Sequence, residues 1–239
     1  MKTSVQFSLA AFIAAGLVSA YFLYKRGCGL PRSHNVNTRI RDPQDQPDRG
    51  VQSLQRCGSA PFIMPTSGFV GYLWDEPFRH GHRHQGIDIF GSSQPNHIPV
   101  YAAYDGYLSR LRDWKSSLII RIPSDPLKPD RQIWTYYTHM ADSYGNSFIP
   151  PDFPPGTSEV FVKAGTLLGY QGNYSGNPSQ PVGVHLHFSI VQDDGTGKFR
   201  NELNIKNTYD PSPYFQLNLN AHNQQGEVPV CPPQPGSVN

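Results

Sequence analysis

The chain has 239 residues, of which only 16% are charged, and its formal net charge is +2. That length suits one sizeable domain with tails, and so small a charge without a Lys/Arg block excludes nucleic acid as the expected partner. With 22 glycines, 23 prolines, 13 tyrosines and 13 phenylalanines, the composition favours turns and short strands over long helices.

Residues 1–26 read as a signal or anchor segment. Positions 5–24 carry no charge, with Lys2 before them and Lys25-Arg26 after. About 20 apolar residues are needed to span a bilayer as a helix. The same stretch also fits a secretory signal, with residues 7–18 as its apolar part and Val18-Ser19-Ala20 as a small-residue cleavage site. Both readings send the following chain to or beyond the membrane. Lys25, Arg26, Arg32, Arg39 and Arg41 all follow the segment, which by the positive-inside bias opposes a stable anchor in that orientation. Residues 27–56 are polar and read as a linker. Residues 57–220 are the expected folded domain, and 221–239 form a Pro/Gln-rich tail.

The three cysteines, Cys28, Cys57 and Cys231, are far apart and form no C-x-x-C pattern, so a cysteine metal site is not expected. Cys57 and Cys231 flank the domain. In an oxidising compartment they are expected to pair and tie its ends together.

Within the domain, short β-favouring runs lie between turn signals. They fall at 87–90, 98–103, 106–111, 118–122, 133–138, 159–162, 167–170 and 184–191. Asp105-Gly106 is a tight-turn signal, and 123–126 and 150–156 are Pro-rich loops. The pattern predicts a compact antiparallel β-sheet or sandwich with a groove over the sheet, and no parallel α/β fold.

Histidines and acids of interest fall in three places: His84 to Asp88, Tyr137-Thr138-His139, and His185-Leu186-His187. Successive strand side chains point to opposite faces. His185 and His187 therefore share one face, about 6–7 Å apart, and Leu186 and Phe188 share the other. The spacing alone does not say which imidazole is a ligand. Gly86 and the β-branched Ile87 and Ile89 argue against a helix between His84 and Asp88. His84 then ends a loop, and Asp88 stands on the face opposite the two isoleucines. Catalytic zinc takes three protein ligands from His, Asp and Glu and keeps a fourth position open. Two imidazoles and one carboxylate would leave it a net charge of about +1, suited to polarising a carbonyl and acidifying water.

His84-x-Gly86-Ile87-Asp88-Ile89 followed by His185-x-His187-Phe188 resembles the lysostaphin-type zinc endopeptidases that cut peptides of bacterial cell walls. The segments at 99–106, 137–140, 165–173 and 210–214 resemble that family as well, so the likeness covers roughly 84–214. It implies one zinc per chain, held by His84, Asp88 and His187, with His139 and His185 as catalytic histidines acting on the attacking water. This agrees with the strand argument, in which one of two same-face histidines can ligate while the other faces the fourth position; a His pKa near 6.5 suits proton exchange. The implied substrate is peptidoglycan peptide, and the implied place is the cell envelope outside the cytoplasm. A wall-binding or regulatory module that activates another hydrolase is the alternative function, and a closed structural zinc site a further one. Two stretches depart from the family pattern, 143–158 and 174–182, and both are expected to wall the groove.

His80 and His82 stand near His84 but lack its spacing to Gly86 and Asp88, and are expected as exposed loop residues. His34, His97 and His222 lie outside any cluster. Trp134, Tyr136 and Tyr137 are expected in the core, with Tyr137 as the one that would face the groove if any does.

Overall fold

The protein is described from a computed structural model covering residues 50–79, 81–223 and 229–231. The apolar segment at 5–24, most of the linker and Cys28 lie outside the described residues. Among the described residues, twelve strands occur in chain order. They are β1 (Phe69–Tyr72), β2 (Pro77–Arg79), β3 (His82–Arg83), β4 (Ile87–Phe90), β5 (Pro99–Tyr101) and β6 (Gly106–Ser109). Next come β7 (Leu118–Ile122), β8 (Ile133–Thr138), β9 (Val160–Val162), β10 (Leu167–Tyr170), β11 (Leu186–Gln192) and β12 (Thr208–Tyr209).

The main sheet runs β1-β4-β11-β8-β7-β6-β9, with β12 also on β11, and its pairings are antiparallel. The mainly antiparallel β class expected from the sequence is the class observed. Strands β4, β7, β8 and β10 have the expected bounds, because each is a β-favouring run between turn residues. Strand β1 was not expected: its Phe-Val-Gly-Tyr run is interrupted by a glycine, and pairing with β4 makes it a strand.

One face of the sheet carries Ile87, Ile89, Leu108, Leu118, Ile120, Tyr137, Leu186, Phe188 and Ile190 into the main core. The two-stranded ribbon β5–β10 covers this face with Val100 and Leu168, together with Phe62, Met64, Tyr214 and Phe215. Such burial stabilises by about 1.5–3 kcal/mol per large apolar side chain. The opposite face holds a smaller cluster of Ile119, Trp134, Tyr136 and Val191, covered by Trp114 and Phe199.

Packing begins earlier than the expected boundary at residue 57. Val51 is fully buried and exchanges two backbone hydrogen bonds with Gly68, at 2.8 and 3.0 Å. Residues 50–56 therefore pack with the domain, since Val51 supplies apolar surface that the polar composition around it conceals. At the other end, Cys231 is bonded to Cys57, with Cα atoms 5.1 Å apart and a sequence separation of 174. Closing so long a loop restricts the unfolded chain, a contribution of about 2–4 kcal/mol for a typical disulfide.

Candidate metal centre and cleft

The register of the sheet assembles the cluster. His187 on β11 is paired with Asp88 on β4 and with Thr138 on β8, and Asp88 is paired with Tyr72 on β1. Four adjacent strands thus place Tyr72, Asp88, His187 and Thr138 in one row. The same register pairs Leu186 with Ile89 and Phe188 with Ile87 on the core face. His84 enters from the loop after β3, its backbone fixed to Asp75 and Glu76 by bonds of 2.8 and 3.0 Å. Gly86 permits this approach, because a Cβ there would lie 2.1 Å from the carbonyl oxygen of Phe188.

Three ligand atoms converge. His84 Nε2 and Asp88 Oδ1 are 3.0 Å apart, His187 Nδ1 and Asp88 Oδ1 2.8 Å, and the two imidazole nitrogens 3.1 Å. Tetrahedral zinc with bonds of about 2.0–2.1 Å needs donor separations of about 3.3–3.4 Å, a small expansion of this triangle. The tautomer also fits. The carbonyl of Leu73 can only accept, so the contact at 3.0 Å puts the hydrogen of His84 on Nδ1 and leaves the Nε2 lone pair for a metal. Among the described residues, His84, Asp88 and His187 form the His/Asp group able to hold an ion.

His139 and His185 stand beside this group with ring centroids 4.4 Å apart. His139 Nδ1 donates to the carbonyl of Tyr174 and His185 Nδ1 to that of Gly183, both at 2.6 Å. Each therefore keeps a lone pair on Nε2. His185 Nε2 lies 3.6 Å from Asp88 Oδ1. His185 is placed by a bridge to Gly172 and by stacking on Phe90 at 4.8 Å. His139 takes a left-handed backbone, with φ of 72°, a costly conformation for a non-glycine residue that clusters at functional sites.

Burial and neighbours set the charges. Burial alone would raise the Asp88 carboxyl, but the imidazoles of His84 and His185 and the hydrogen bond from His187 hold it well below the usual range. Burial opposes protonation of His84, and the adjacent Asp88 outweighs it, so its pKa rises. Burial lowers His187 by more than Asp88 raises it. His139 is pushed down to about 3 by burial, then by the charge of His185, which leaves it neutral at ordinary pH.

The cluster lies in a cleft of about 840 Å³. Of the two departing loops, 174–182 walls it through Tyr174, Ser175, Gly176 and Val182. The 143–158 loop does not, contrary to expectation. The buried guanidinium of Arg110 donates to the Phe153 carbonyl at 2.9 Å and to Ser147 Oγ at 3.0 Å, which fastens that loop to the 110–115 turn instead. Glu202-Leu203 also lines the cleft. Tyr136, rather than Tyr137, faces the cleft: its hydroxyl donates to Ser117 Oγ at 3.0 Å, whereas the Tyr137 hydroxyl accepts from Ala103 N–H at 2.9 Å inside the core. Strand alternation from Thr138 could have found Tyr136, which is two residues away on the same face; nothing local marks Glu202. His82 is exposed as expected but lies on β3, and His97 is exposed. His222 is exposed and bonded to Asp75. His80 and His34 lie outside the described residues.

Fold and site together define a mainly antiparallel β domain with a two-histidine, one-carboxylate metal-ligand cluster in an open cleft. No protein-family model and no curated protein matches the chain. Among solved structures, it is similar to the catalytic domain of the antimicrobial peptidase lysostaphin from Staphylococcus simulans. Identity there is 19%, over 61% of this chain and 88% of that one, with a TM-score of 0.38. Against longer lysostaphin the identity is 18%, over 69% of this chain and 53% of that one, with a TM-score of 0.39, so the chain spans about half its length. A catalytic-domain mutant of the prophage-encoded M23 protein EnpA from Enterococcus faecalis is similar at 20% identity, over 62% of this chain and 95% of that one, with a TM-score of 0.37.

Proposed function

We propose that the chain is an extracytoplasmic zinc metallo-endopeptidase that hydrolyses peptide bonds in peptidoglycan stem peptides or cross-bridges. The observation that carries this reading is the convergence of His84 Nε2, Asp88 Oδ1 and His187 Nδ1 within 4.8 Å of one another, beside two histidines whose Nδ1 atoms are already engaged. The three residues would hold one zinc ion per chain. When bound, zinc supplies a Lewis acid that polarises a peptide carbonyl and acidifies water. His139 and His185 are the proton carriers. Their Nε2 lone pairs take the proton from the attacking water and return it to the departing amine nitrogen. Burial keeps His139 neutral in the free site, with its Nε2 lone pair unprotonated.

The substrate class is supported by the motif likeness from His84 to Tyr214, and the location by the Cys57–Cys231 disulfide, since such bonds persist in oxidising compartments. Membrane attachment through residues 5–24 belongs to the same proposal. The test is to incubate the purified chain with cell walls, with and without a chelator, and to sequence new amino termini. New termini that depend on metal are the expected result. Turnover by metal-free protein would sink the mechanism, and walls left intact by zinc-loaded protein would favour a binding or regulatory module.

A further inference from the structure

The cleft has one charged group that the proposed chemistry does not use. Glu202 lines it between β11 and β12, beside the exposed Leu203. Its segment is held in place. Leu203 O accepts from Gln85 Nε2 at 2.7 Å, next in sequence to His84, and Leu203 N–H donates to Asn201 Oδ1 at 3.0 Å. Among the described residues, no cation pairs with the Glu202 carboxylate, and its hydrogen bond is to its own backbone N–H. Partial burial raises its pKa, as expected of a carboxylate stripped of water without compensation. No Lys or Arg lines the cleft among the described residues, and its other carboxylate, Asp88, is committed to the imidazoles. Away from the metal-ligand cluster, the charged side chain that lines the cleft is therefore an anion.

We infer that Glu202 forms a specificity subsite for an ammonium group, so the preferred substrate is a peptide carrying a free α- or ε-amino group where it crosses the cleft. The inference rests on the peptidase reading for its consequence in turnover, but not for its consequence in binding. An ammonium reaching Glu202 gains a charge-assisted hydrogen bond and relieves the isolated charge. The hydroxyl-bearing Tyr136 and Ser117 and the apolar Leu203 line the same cleft. Among the described residues, no cationic Lys or Arg side chain lines the cleft to offer a substrate carboxylate the same contact.

The experiment uses the full chain and three pentapeptides, two of them capped at the amino terminus. One has a central lysine, one has that lysine acetylated, and one has a free amino terminus with the lysine acetylated. Calorimetry measures binding, and mass spectrometry measures cleavage. At least one amine-bearing peptide should bind about 10-fold tighter than the fully acetylated one, and which one distinguishes an ε- from an α-amino group. Glu202→Gln should abolish that preference and leave binding of the acetylated peptide and the melting temperature unchanged; Glu202→Lys should reverse it. In turnover, the loss should fall on KM rather than kcat. Equal binding of all three peptides by the parent, or a preference that survives Glu202→Gln, overturns the subsite. Selective binding without cleavage by zinc-loaded protein overturns the peptidase reading and leaves the subsite standing.

Discussion

Strand β11 displays two kinds of surface on its two sides. Leu186, Phe188 and Ile190 enter the main core and are fully buried. On the other side, His187, Ser189 and Val191 run from the metal cluster into the small cluster of Trp134 and Tyr136. The first side is apolar throughout and packed by a second layer. The second is polar at one end, where the cleft opens, and apolar at the other, where Trp114 and Phe199 cover it. The difference teaches that the same strand can be a structural member and a chemical platform, provided the two demands fall on alternate residues. Substitutions on the core side should therefore act on stability, and those at the cleft end on chemistry.

The largest expected effect is at His187. His187→Ala should bring bound zinc from about one equivalent to near zero and abolish turnover, whereas His185→Ala should keep the metal and lose turnover. Elemental analysis beside a cleavage assay separates the two, and a His185→Ala protein as active as the parent would break the division of roles. On the core side, Phe188→Ala removes a ring that packs against Tyr137 and Phe215 at 5.2 and 5.4 Å. It should cost about 3–5 kcal/mol in denaturant unfolding. Gly86→Ala tests the link between the faces, because the new methyl would meet the Phe188 carbonyl oxygen. A loss of about 1–3 kcal/mol is expected, together with weaker metal binding, since His84 and Asp88 flank the displaced backbone. The smallest effect belongs to Ser189, whose buried hydroxyl finds no partner among the described residues. Ser189→Ala should be neutral or stabilising by up to about 1 kcal/mol, and a loss above 2 kcal/mol, on the order of a broken buried hydrogen bond, would show that the hydroxyl is in use.

Much of the fold could be read locally. The runs that became β4, β7, β8 and β10 carry their own β preference, and alternation about Leu186 and Phe188 assigned the faces of β11 before any partner was known. Asp88 stood out for the same reason, as a carboxylate between two core isoleucines. Strands β1, β2, β3 and β12 were not legible, because each is only two to four residues long and owes its form to pairing. Val51 was hidden within a polar stretch.

What the chain decides by itself is which side chains share a face and which residue types can hold a metal, because both follow from the two-residue period of a strand and the chemistry of imidazole and carboxylate. The tertiary fold alone decides which strands lie side by side, and so brings Asp88 opposite His187 across 99 residues of sequence. It also decides which loops close over the cleft. Arg110 draws the 143–158 loop away, and Gln85 fastens Glu202-Leu203 beside the histidines. These contacts join residues far apart in the chain, and no local periodicity encodes them.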